Sequence, residues 1–400
     1  MTRHDLVKLG VGTLVAVLLA FWATAPRSPQ DGAPTGGMTL LPGLRESLND
    51  ITRFRVVEAG DKAAVTLVRA DAGWQVVERG GYPADIAKVR ETLIKFANSK
   101  LVEAKTSNPE RHGVLGVEDV AKPEAKGMRV EIDGKVPAKL VIGTYSTQGN
   151  GTFVRRNDEA QAWLAQDNLV VDREAANWLD KELADIASDR IMRVEIERDG
   201  KLLAISKTAP AQDGYIVENM PAGRELLSQY EPNGLASVLA ALRFEDVAKA
   251  EGALPEPASV IKATYRTFDG MVVVVTAFTS EGKHYATFKA SVDPERADIA
   301  ARAAQLNAVA DHKVDLESVD AEPADIVPDA DAAQKEGKEP TAETPLAVTD
   351  PAASIAEHRK AVDDEAARLN QRSSGWIYVL PAFKYANINK SLEDLLKPKA

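Results

Sequence analysis

One short pattern occurs twice in this chain, and the duplication constrains its fold more than any other feature. Ile51-Thr52-Arg53-Phe54-Arg55-Val56-Val57 leads to Gly60 and on to Trp74-Gln75-Val76-Val77-Glu78. Ile191-Met192-Arg193-Val194-Glu195-Ile196 leads to Gly200 and on to Tyr215-Ile216-Val217-Glu218. The offset is 140 at Ile191 and Gly200 and 141 at Tyr215. Self-similarity at a fixed offset decides architecture before local propensity does. The expected fold class is therefore α+β: an N-terminal transmembrane helix, then two tandem β-rich α+β repeats.

The N-terminus carries an uncharged run, Leu9 to Ala25. At 1.5 Å per residue it spans roughly 25 Å, the short end of a membrane crossing. Phe21 and Trp22 stand where an interfacial aromatic belt would lie. Arg3 and Lys8 precede the run and only Arg27 follows closely, so residues 1–8 are expected in the cytoplasm. Ala23-Thr24-Ala25 has the small-residue form of a cleavage site, which is the competing reading. Pro26 in the first mature position argues against cleavage. The expected localisation is the inner membrane, single-pass through residues 9–25, with the bulk of the chain periplasmic.

Residues 26–47 are rich in proline and glycine and read as a flexible tether. Repeat 1 is expected over 48–186. Its strands flank turns at Gly60-Asp61 and Asp133-Gly134, and its helix at Ala84–Ala97 sets Ile86, Val89, Leu93 and Phe96 on one face. A closing helix is expected at Glu174–Leu183. Repeat 2 is expected over 187–292 and resumes at 373–398, with a helix at Leu235–Leu242. Trp376 matches Trp163 at offset 213 across the break. The insert between, 293–372, reads as helices flanking an acidic linker at 313–350. That linker holds 11 acidic and 3 basic residues, four prolines and no aromatic, and too little apolar area to offset ordering, so it is expected to be disordered.

Composition excludes several functions. The net charge is 49 − 60 = −11 and no basic stripe is present, so nucleic acid is not an expected partner. There is no cysteine, which removes disulfides, thiolate catalysis and Cys-ligated zinc. None of His4, His112, His284, His312 and His358 has a second histidine at metal spacing. No nucleophile elbow, Walker loop or dinucleotide glycine fingerprint occurs. No catalytic, cofactor or metal residue is therefore assigned. Trp163 and Trp376, at matching positions among apolar neighbours, read as core anchors. Gly149-Asn150-Gly151 before Arg155-Arg156 reads as a hairpin turn, with anion binding the alternative. The polar loop Lys105–Asp119 supplies the candidate contacts, Arg111 and His112, because loops on rigid scaffolds often carry function.

These segments together resemble a bacterial domain-of-unknown-function family of single-anchor envelope proteins. Its members are associated with gliding-motility-type (Gld-like) ABC transporter components. The resemblance rests on the short anchor, the Ile51–Val57 hairpin with Trp74-x-Val76, and the helix ending near Leu101-Val102. It also rests on Leu140-Val141-Ile142-Gly143, Thr152-Phe153-Val154-Arg155 and Gly375-Trp376-Ile377-Tyr378-Val379-Leu380-Pro381. His112-Gly113-Val114 departs from the family's Tyr-Gly-Leu at its aromatic position. The resemblance implies a non-catalytic accessory, binding or scaffolding, with the membrane and ABC-type transporter subunits as partners. An envelope hydrolase acting on glycan or peptide, and a structural envelope spacer, are the alternatives.

Overall fold

The structure is a computed structural model that describes residues 37–251, 259–319 and 351–398. The expected anchor at 9–25, the cytoplasmic residues 1–8 and the linker from 320 to 350 lie outside the described residues. Among the described residues, no helix is long and apolar enough to cross a membrane.

The fold class differs from the α+β expectation. The described residues are β-rich and build three antiparallel sheets, of ten, two and eight strands. The first ten strands are β1 (Met38–Thr39), β2 (Arg53–Glu58), β3 (Lys62–Ala70), β4 (Gly73–Val76), β5 (Tyr82–Pro83), β6 (Lys100–Ala104), β7 (Met128–Asp133), β8 (Ala138–Ser146), β9 (Gly151–Arg156) and β10 (Ala162–Gln166). They form one sheet in the order β1-β6-β10-β9-β8-β7-β2-β3-β4-β5. The remaining strands are β11 (Glu182–Ala184), β12 (Ile191–Arg198), β13 (Lys201–Ser206), β14 (Ile216–Val217), β15 (Leu242–Arg243), β16 (Asp246–Lys249), β17 (Ile261–Thr267), β18 (Met271–Ser280), β19 (Lys283–Val292) and β20 (Trp376–Val379). Eight of them follow β14-β13-β12-β17-β18-β19-β20-β16, while β11 and β15 pair separately. The eight-stranded order matches β4-β3-β2-β7-β8-β9-β10-β6 of the first sheet, strand for strand.

Two expected helices shrink because strand pairing captures their ends. Within Glu174–Leu183 only a 3-10 turn, Ala175–Trp178, forms before β11. Within Leu235–Leu242 a single α-turn, α3 (Asn233–Ala236), and a 3-10 turn precede β15. The chain reverses at Ala241, whose φ is 42° and whose N–H donates to Asp185 Oδ1 at 2.7 Å. That reversal sets Leu242 opposite Ala184. A regular helix would continue through Ala241 and forfeit the pairing.

Two compact units divide the chain. One comprises residues up to Glu78 together with Pro83–Trp178, the other Arg79–Tyr82 together with Leu179 onward. In the first unit, β2 buries Phe54 and Val56 on one face. Phe54 packs on Phe96 of α1 (Ile86–Asn98) at 6.2 Å and on Trp178 at 5.7 Å between ring centroids. A bulge after Val56 leaves Val57 buried as well, in a second small cluster with Val117, Val120, Val141 and Ala162. The first unit also claims part of the expected tether. β1 pairs with β6, Leu40 and Leu44 are fully buried, and Arg156 donates to the carbonyls of Thr39 and Leu40.

In the second unit β17 and most of β18 alternate between buried and less buried residues. Ala263 and Tyr265 of β17, Val273 and Val275 of β18, and Ala286 and Phe288 of β19 face inward. β20 covers only Tyr285 and Ala286 of β19. Helix α5 (Pro351–Ser373) covers part of the rest. The Asn370 amide donates to Ala290 O and accepts from Ala290 N, each at 2.8 Å, and Ser373 Oγ donates to Phe288 O at 3.1 Å. A side chain thus satisfies an edge that could otherwise recruit another strand. Helix α4 (Pro294–Val319) runs seven residues into the stretch expected to be disordered from 313.

Burial in this core makes one stability prediction. The Tyr265 hydroxyl is buried without a hydrogen-bond partner among the described residues, and burial pushes its pKa well up. Leaving such a group unsatisfied costs about 1–3 kcal/mol. Tyr265→Phe is therefore expected to keep the melting temperature or raise it. A fall of several degrees would show that the hydroxyl is bonded.

Arg190 makes a second one. It donates to Asp269 Oδ2 at 2.8 and 3.1 Å and to Glu365 of α5 at 3.0 and 2.9 Å. Burial alone would raise the Asp269 pKa, but the Thr267 hydrogen bond and the Arg190 charge outweigh it and hold the carboxyl below its ordinary 3.8. A depressed carboxyl contributes stability that is present above its unfolded pKa and lost as pH falls through its folded one. The second unit should therefore lose stability in acid titrations below about pH 4, and Asp269→Asn should flatten that loss. Equal acid slopes in both proteins would refute the assignment.

Candidate functional site

Helix α1 starts where Asp85 caps it, its side chain accepting from Lys88 N at 3.1 Å. Val89, Leu93 and Phe96 point into the core, as their spacing requires. Ile86 and Ile94 do not, and stay 58% and 39% exposed. Ile86, expected on one face with Val89, Leu93 and Phe96, lines a surface groove. The opposite wall is the 3-10 helix Arg45–Asp50, fixed by Ser47 Oγ donating to Gly43 O at 2.9 Å. The floor comes from the β3–β4 hairpin, where Arg69 and Trp74 stand directly opposite each other. The groove encloses about 400 Å³.

Its electrostatics run against those of the chain. Arg45, Arg69 and Arg90 face one carboxylate, Glu46, in a protein of net charge −11. Arg69 Nη1 donates to Asn49 O at 2.5 Å, which holds the side chain over the groove. Arg45 and Arg90 are exposed and make no hydrogen bond or ion pair with a described residue. Their guanidinium forks remain available for planar carboxylate or phosphate groups. Half-buried Trp74 and exposed Ile86 and Ile94 add apolar surface beside that charge. Other cavities differ. One of about 440 Å³ against α4 and α5 is lined by alanines, and its Arg190 already bonds both Asp269 and Glu365. One of about 500 Å³ beside Leu202 has Arg198 and Lys390 bonded to Asn389 and Glu231.

The residues singled out in the sequence fall elsewhere. Arg111 is exposed at the end of a 3-10 turn, Pro109–Arg111, that Asn108 caps. His112 opens α2 (His112–Leu115) and is only 5% exposed. Its Nε2 lies 2.9 Å from Ala160 O, so that nitrogen carries the proton and donates. The loop is polar in composition, but Val117 and Val120 seat it on the sheet. Gly116, at φ 70°, ends α2, and the backbone then passes so close to Gly143 that a Cβ there would lie 2.2 Å from Leu115 O. His112 is thus withdrawn from a partner, and Arg111 remains open to one.

Arg155 and Arg156 are also committed. Arg155 donates to the carbonyls of Val117, Asn157 and Glu159, and Arg156 to those of Thr39 and Leu40. Trp163 and Trp376 are half-buried rather than fully enclosed. Among the described residues, no three His, Asp or Glu side chains are placed to hold a metal ion.

No curated protein and no solved structure matches the chain. One family model does, over a stretch that holds Trp74, Ile86, Arg90 and Ile94 of the groove as well as Arg111 and His112. Over residues 74–259 the chain is similar to a family described as a domain of unknown function, DUF4340.

Proposed function

We propose that this chain is a binding or scaffolding protein of the cell envelope rather than a catalyst. Residues 9–25 would hold it in the inner membrane with its bulk in the periplasm. It would serve as an accessory to an ABC-type transport or envelope-assembly system of the gliding-motility (Gld-like) kind, as the resemblance of its segments implies. The observation that carries the reading is the groove, where unspent arginines flank exposed apolar side chains. Arginine and tryptophan dominate binding hot spots.

The titratable groups favour the same side. General-acid chemistry near neutral pH uses a carboxyl raised toward neutrality. Among the described residues, Asp172, Glu225, Asp269 and Asp394 are held below their ordinary values. Asp394 is lowered by hydrogen bonds from Ser391, and Glu225 by its bond to Lys397. In Asp172 and Asp269 burial pulls upward, but hydrogen bonds and a neighbouring cation prevail.

Affinity purification of the native complex in detergent tests the reading. Wild-type chain is expected to retain transporter subunits, and the Arg45→Glu/Arg90→Glu protein, equally folded, to lose them. Equal retention would remove the groove. Turnover of a glycan or peptide by the purified protein, abolished by one carboxylate substitution, would overturn the non-catalytic reading.

A further inference from the structure

We propose that the groove between α1 and the Arg45–Asp50 helix receives an acidic segment of a partner protein that also carries one large apolar side chain. The inference rests on the binding reading of the same groove and names its occupant. Three arginines oppose one glutamate there, and Arg45 and Arg90 are paired with no described residue. Carboxylates match the guanidinium fork with two parallel hydrogen bonds. Trp74, Ile86 and Ile94 line the groove beside those cations, with Arg90 four residues from each isoleucine on α1, so the complement needs an apolar group set beside its carboxylates. A volume of about 400 Å³ suits one anchoring side chain and its neighbours.

Other occupants fit less well. The exposed flanks at Ile86 and Ile94 would leave a lipid acyl chain in water along its length. Nucleic acid would bring phosphates to the arginines but meet a chain of net charge −11 around them. The N-terminal residues 1–36 carry Arg3, Lys8 and Arg27 against Asp5 and Asp31, so their charge does not complement the groove.

The experiment selects random displayed peptides on the full chain in detergent and measures each enriched peptide against Arg45→Glu/Arg90→Glu. Both positions are exposed, so the variant is expected to melt with the wild type. Arg45→Gln/Arg90→Gln, which removes charge without reversing it, replaces it if it does not. Enriched peptides should combine Asp or Glu with Trp, Phe or Leu and bind the variant at least about tenfold more weakly. Neutral or basic peptides, or affinity that the variant leaves unchanged, would overturn the proposal. Binding of phosphatidylglycerol vesicles that the variant abolishes, with no peptide enriched, would overturn it in favour of lipid. If the peptides fail while the native complex still depends on Arg45 and Arg90, the acidic occupant is wrong and the binding reading survives. If the native complex ignores both arginines, the binding reading of the groove falls too.

Discussion

Tyr82→Ala is expected to destabilise the second unit by about 3–5 kcal/mol, the range for deleting a buried aromatic ring. Tyr82 precedes the main body of that unit by 179 − 82 = 97 positions, yet it is completely buried within it. Its ring meets Trp376 at 5.0 Å, Phe244 at 5.4 Å and Tyr378 at 6.1 Å, each edge-on. Three residues earlier, Arg79 grips Asp246 of β16 at 2.5 and 3.0 Å. Arg79–Tyr82 thus belongs to the second unit's fold, and alanine at position 82 opens a cavity that three aromatic neighbours cannot fill. Hydrogen exchange should show the loss at β16 and β20, with a melting drop of roughly 6–20 °C. Faster exchange confined to the first unit would mean that Tyr82 does not stabilise the second.

Trp178→Ala is expected to cost the first unit a similar amount, about 3–5 kcal/mol. The ring is 1% exposed, lies against Phe54, and has Lys88 Nζ 4.8 Å above its centroid. Its Nε1 donates to Asp172 O at 3.1 Å. Alanine removes the ring and leaves that carbonyl without its donor. It also removes a cation–π contact worth about 0.5–1 kcal/mol at partly exposed sites. Trp178→Phe should recover part of the loss, because it restores the packing and not the indole N–H. Denaturant titrations that place the alanine variant within about 1 kcal/mol of wild type would contradict this packing role.

The two deletions also mark what the sequence could and could not disclose. Strands with one buried face were readable. Met128–Ile132 and Lys139–Ile142 around Asp133-Gly134 correspond to β7 and β8, where Met128, Val130 and Ile132 are buried at period two and Leu140, Val141 and Ile142 are buried in succession. Trp376, recognised by its offset from Trp163, sits in β20 beside β19, as β10 lies beside β9. Helices were over-read where apolar spacing was ambiguous. Leu235, Val238 and Leu239 are buried at helical spacing, but pairing of Leu242 with Ala184 ended the helix. Long-range burial was hidden. Nothing near Tyr82 indicates that its neighbours are Phe244 and Trp376, and the polar setting of His112 conceals the valines that seat its loop. The groove was hidden for the same reason. Arg45, Arg69 and Arg90 lie on three elements, and no spacing relates them. Only the Arg69–Trp74 pair could have been found, by counting outward from the turn that joins β3 to β4.

The central claim is that the groove is a docking surface for an acidic protein segment. The most direct measurement places a photo-crosslinking residue at Ile94 of the full chain in its native cells. A control carries it at Lys62, outside the groove. The account predicts one dominant protein adduct at position 94, absent at 62 and lost with Arg45→Glu/Arg90→Glu, whose crosslinked segment pairs Asp or Glu with a large apolar residue. Adducts equal at both positions, or an adduct at 94 that survives loss of both arginines, would contradict it.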